Sequence, residues 1–138
     1  MKIRTDFVTN SSSSSYILAY KPNPEFGNEK VREVLERMLE IVLDTEGDYN
    51  DTSPAEYFRT KEEYDAYIKD YWGYDDQPVE VVVREEGIED FYNECLTLIE
   101  SGGCVIEKRV GYGDESTNRI IRGMADAGFG LTIIDDGN

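Results

Sequence analysis

From Ile88 onward the chain alternates between two kinds of apolar pattern, and that alternation limits the folds open to it. Ile88, Phe91, Tyr92, Cys95, Leu98 and Ile99 recur at helical spacing and stop at Gly102-Gly103. Cys104 to Val110 then alternates as a strand, with Val105, Glu107 and Arg109 on one face and Cys104, Ile106, Lys108 and Val110 on the other. The turn Gly111-Tyr112-Gly113-Asp114 leads into a helix through Ile120, Ile121, Met124 and Ala125, closed by Gly128, and Phe129 to Ile134 is a last strand. The stretch between Val110 and Phe129 is long enough for a crossover helix, so a C-terminal βαβ unit with parallel strands is expected. The expected fold class is α/β, a small three- or four-stranded sheet with packed helices. The alternative is α+β with a partly antiparallel sheet.

The first half fills in the rest. Tyr16 to Tyr20 reads as a buried strand in the interior of the sheet, closed by Lys21-Pro22. Asn28 is placed to cap a helix that carries Val31, Val34, Leu35, Met38, Leu39 and Val42 on one face and ends at Gly47. Ser53-Pro54-Ala55-Glu56 and Thr60-Lys61-Glu62-Glu63 both have the form of a capping box, which predicts short helices over 54–58 and 61–72. Val79 to Val83 is β-branched and follows Pro78, so a strand is expected there. Val105, Ile106, Val110, Leu131 and Ile133 should share one core with Leu35, Met38, Phe91, Cys95, Ile120 and Met124.

Ahead of the first strand stand Arg4-Thr5-Asp6-Phe7-Val8-Thr9-Asn10 and then the run Ser11, Ser12, Ser13, Ser14 and Ser15. This opening resembles a group of uncharacterised bacterial and phage proteins that begin Arg-x-x-Phe-Val-Ser-Asn-Ser-Ser-Ser-Ser-Ser-Phe. It departs from that leader at Thr9 and Tyr16, and the resemblance brings no activity with it. The division expected is a serine-rich leader over 1–15 and a single domain over 16–138. The serines read as a loose leader, as a structured loop whose hydroxyls serve the backbone, or as a modified tag, with Phe7 and Val8 packed on the domain.

At 138 residues and 39% hydrophobic content the chain has material for one core. It contains no apolar run near the ~18 residues of a membrane span, and no apolar stretch follows Lys2 and Arg4 as a secretory signal would require. Cys95 and Cys104 read as small buried hydrophobes, and the expected location is cytoplasmic. There is no histidine, which removes Ser-His and Cys-His dyads and His-ligated metal sites. The net charge is −16; between Asp44 and Asp90 sixteen acidic residues face four basic ones, a local −12. Such a surface repels nucleic-acid phosphate and anionic membrane and favours a basic protein. No cofactor is expected beyond a weakly held divalent cation.

Three segments invite a functional reading. Gly111, Gly113, Asp114, Ser116 and Thr117 occupy the strand-to-helix turn where an α/β protein would bind a phosphate, although Asp114 and Glu115 would compete with one and no Walker lysine is present. Asp44 to Asp51 has the oxygen density of a calcium loop without its spacing. Tyr57, Tyr64, Tyr71, Trp72, Tyr74, Asp75 and Asp76 combine aromatic rings with carboxylates, as a hot-spot surface for a basic protein does. The expected function is a non-enzymatic acidic interaction module. The alternative is a nucleotide- or phosphate-binding regulator or enzyme using the Gly111–Thr117 turn with a divalent cation; the oligomeric state stays open.

Overall fold

The computed structural model describes residues 13–47, 52–74, 76–111 and 113–136. Its elements are β1 (Ser13–Tyr20), α1 (Glu29–Asp44), β2 (Glu56–Phe58), α2 (Lys61–Trp72), α3 (Val79–Glu86), α4 (Glu89–Glu100), β3 (Cys104–Gly111), α5 (Glu115–Asp126) and β4 (Leu131–Asp135). The strands form one sheet in the order β2-β3-β1-β4, and each neighbouring pair is antiparallel. The chain is thus a mixed α/β fold on a small four-stranded sheet. β3, α5 and β4 do form a β-α-β connection, but β1 lies between the two strands and pairs with both. β3 and β4 run the same way without being neighbours, so the pairing is the antiparallel one of the alternative architecture.

β1 is an interior strand, and it starts at Ser13. Ser13, Ser14 and Ser15 stand opposite Gly111, Val110 and Arg109 of β3. The rest of the serine run, with Phe7 and Val8, lies outside the described residues. Tyr16 to Ala19 are all buried, which a strand achieves only when both faces of its sheet are covered. Here they are. Ile17, Phe58 and Val105 face a core filled by Tyr64 and Ile68 of α2, Val82 and Val83 of α3, and Phe91 and Cys95 of α4. Tyr16, Leu18, Ile106 and Val110 face a second core, built from Leu39 and Leu43 of α1 and Ile121 and Met124 of α5. The single shared core expected from the sequence is therefore two cores divided by the sheet, and Met38 and Ile120 belong to neither, being 48% and 42% exposed.

Local signals set most helix ends. Asn28 accepts from the Val31 N–H at 3.1 Å, and Thr60 with Glu63 forms the complete capping box. Gly73 and Gly87 end α2 and α3 in the left-handed conformation (φ 75° and 66°), which glycine adopts without Cβ strain. α1 stops at Asp44, before the expected Gly47, where Thr45 turns extended and its hydroxyl donates to the Val42 carbonyl at 2.6 Å.

Two elements differ in kind from the expectation. The segment expected as a helix over 54–58 contains strand β2, because five residues close too few intrahelical hydrogen bonds to offset the cost of the nucleus, whereas an extended course beside β3 buries Phe58 and lets Ser53 N donate to Arg109 O at 3.1 Å. Val79 to Val83 is helical, not a strand. Helical geometry brings Val79, Val82 and Val83 together into the core and leaves Glu80 exposed; a pleated run would have sent Val82 to the opposite face with Glu80.

Candidate functional site

Alternation along β3 places Lys108 between Ile106 and Val110, on the face beneath α1 and α5, and its side chain is fully buried. Three carbonyls surround its ammonium. Nζ donates to Leu43 O at 2.9 Å, Thr45 O at 2.7 Å and Ser53 O at 2.6 Å. These oxygens belong to the end of α1 and the two flanks of the acidic segment read as a cation loop, whose residues 48–51 lie outside the described ones. The backbone there already holds a cation, supplied by the protein itself. Burial pushes the Lys108 pKa down to about 8, with the Asp44 and Asp114 carboxylates pulling the other way.

A hydrogen-bonded turn adjoins this junction. Thr52, also buried, accepts from the Gly111 N–H at 3.0 Å and donates to Asp114 Oδ2 at 2.9 Å. Asp114 caps α5 by accepting from Thr117 N at 3.1 Å and Thr117 Oγ1 at 2.8 Å. Burial would raise the Asp114 carboxyl, but the two Thr117 donors, the Thr52 hydroxyl and the Lys108 charge hold it below the usual carboxylate range. Of the five residues expected at a phosphate, Gly111, Asp114 and Thr117 are brought together, and they are tied to one another and to Thr52. The donors an anion would use at Gly111 and Thr117 go to the Thr52 hydroxyl and the Asp114 carboxylate. Gly113 and Ser116 are exposed. Sequence reading missed Thr52 and Lys108. Lysine at an inward position of an apolar strand was the signal for the second; Thr52 offered none.

The aromatic residues expected at a partner surface divide. Tyr64 is buried and stacks on Tyr92 with ring centroids 5.4 Å apart, so it belongs to the core and not to a surface. Tyr57, on β2, packs toward the core on the other side of the sheet, under the Arg59 guanidinium at 5.1 Å. Tyr71, Trp72 and Tyr74 are half-buried against the α2–α4 core, with Tyr71 and Trp72 in an edge-on contact at 5.1 Å. Asp76 is exposed, and Asp75 lies outside the described residues.

Around these rings the carboxylates collect in one layer. Residues 61–100, which contain α2, α3 and α4, hold thirteen Asp/Glu against three Lys/Arg, a net −10. Of the twelve described acidic residues there, ten are exposed; Asp65 and Glu86 are partly covered. Those two accept the hydroxyls of Tyr92 at 2.6 Å and Tyr74 at 3.0 Å.

No protein family, curated protein or solved structure matches the chain. Among the described residues no helix is long and apolar enough to cross a membrane.

Proposed function

We propose that the chain is a non-enzymatic interaction module whose acidic α2–α4 layer meets a basic protein surface. One observation carries this: the charge is segregated. The −10 of residues 61–100 contrasts with α1 and α5 on the other face of the sheet, where seven acidic residues face five basic ones for −2. A solubilising surface has no need to favour one face. Half-buried Tyr71, Trp72 and Tyr74 among those carboxylates supply apolar contact area that needs little further ordering. The phosphate reading of the Gly111–Thr117 turn is the weaker one, since the Gly111 and Thr117 donors are engaged within the fold and the Asp114 carboxylate stands among them.

Electrostatic docking of this kind weakens as salt shortens the screening length from ~10 Å at about 0.1 M to ~3 Å at about 1 M. The test is capture of proteins from lysate on the immobilised chain at low and high salt. The expected result is basic proteins held at low salt, released at high salt, and lost when Glu85, Glu89 and Asp90 are changed to Lys. Partners retained equally at both salt concentrations would refute the reading.

A further inference from the structure

The large hydrophobic side chains exposed among the described residues all sit on one helical layer. They are Val31, Val34, Met38 and Ile41 of α1 and Ile120 of α5, between 42% and 60% exposed. α1 buries Leu39 and Leu43 in its own core, so it carries a second apolar stripe that the described residues leave largely open. Single exposed hydrophobics are ordinary on a protein surface; four in one row are not.

The spacing of the row says what shape would cover it. Val31, Val34, Met38 and Ile41 follow one another at intervals of three, four and three residues, the a and d positions of a heptad. That seam accepts the side chains of another helix. The charge distribution says whose helix. α1 and α5 together carry −2 of the −16, so this layer is where two copies of the chain can approach with least repulsion. The row is also self-complementary under a two-fold axis. In an antiparallel pair centred between Val34 and Met38, Val31 meets Ile41 of the second copy and Val34 meets its Met38. Lys30 then comes opposite Asp44. Arg37 faces its own counterpart there, and each guanidinium has Glu40 of its own helix at 3.9 Å.

We propose that the Val31-Val34-Met38-Ile41 stripe is a homodimer seam, closed by α1 of a second copy in antiparallel orientation. A helix of 16 residues is about 24 Å long and ~10 Å across. The contact therefore falls at the low end of specific interfaces, and the dimer should be weak, with Kd on the order of micromolar.

Sedimentation equilibrium of the full chain from about 1 μM to about 500 μM, at low and high salt, tests it. The expected result is a monomer–dimer equilibrium that tightens as salt rises, because screening removes repulsion between two bodies of charge −16. That is the reverse of the salt dependence expected for the acidic layer, so the two proposals fail separately. Val34→Glu and Ile41→Glu should each weaken the dimer at least tenfold with an unchanged circular dichroism spectrum, since both side chains lie in solvent in the monomer. Lys30→Glu should weaken it, and Lys30→Glu combined with Asp44→Lys should restore it. A monomer throughout the range would overturn the proposal. So would a dimer indifferent to Val34→Glu and Ile41→Glu, or a foreign protein held by this stripe while the chain itself stays monomeric.

Discussion

A lysine ammonium stripped of water is tolerated only where oxygens replace that water, and Lys108 has three carbonyls in place. Lys108→Met keeps most of the side chain's length and leaves the Thr45 and Ser53 carbonyls without their donor, while Leu43 O still accepts from the Ala55 N–H, so the loss of stability in urea should be about 1–3 kcal/mol, the range for buried acceptors left unsatisfied. The sign of its pH dependence follows from the pKa of about 8 in the fold against an ordinary 10.5. Between those values the unfolded chain binds more protons than the folded one, so stability gains as pH rises through the window. The gap between wild type and Lys108→Met should therefore widen from pH 8 to 10.5, which paired urea titrations would reveal. Tyrosines act in the other direction. Burial first, then the bond to Asp65, pushes Tyr92 up to about 12, and burial followed by the Asp44 charge does the same for Tyr57. Their contribution is complete below pH 10 and is lost between 10 and about 12; tyrosinate absorbance should show both ionising after the unfolded value of 10.

At the scale of elements, α1 shows how one helix can carry two stripes that read as one. Leu39 is 4% exposed and Met38, its neighbour, 48%. Leu39→Ala should cost about 2–5 kcal/mol, and Met38→Ala should stay within ~0.5 kcal/mol when unfolding is followed at low protein concentration. Equal losses would place the helix on the wrong face. Helical spacing and capping residues made α1, α2, α4 and α5 legible, and alternation did the same for β3. The register of α1 against its core was not legible, because Val31, Val34 and Met38 are as apolar as the residues that are buried. α3 was hidden by the β-branched character of Val79 to Val83; tertiary packing overrode the local preference. β2 was hidden behind a capping-box pattern at Ser53-Pro54-Ala55-Glu56 that the chain uses in extended form. In the site, Asp114 was legible as part of the turn that leads into α5, while its link to Thr52 joins residues 62 positions apart and leaves no local trace.

The whole molecule has two unlike faces on one sheet, an acidic three-helix layer and a nearly neutral two-helix layer with an exposed apolar row. Strand order is the deeper constraint. β1 precedes every other described element in the chain, yet its partners are β3 and β4, so Tyr20 waits for Cys104 on one side and Leu131 on the other. Closing such distant pairs is slow compared with helix formation. In pulsed hydrogen exchange during refolding, the amides of β1 should gain protection no earlier than those of β3, and after the amides of α4. Protection of β1 ahead of β3 would contradict this topology. On the ribosome the consequence is one of timing. Tyr16 to Tyr20 leaves the exit tunnel long before either partner strand has been translated, and until then it is a bare apolar edge that a chaperone, or a neighbouring nascent chain, can reach first.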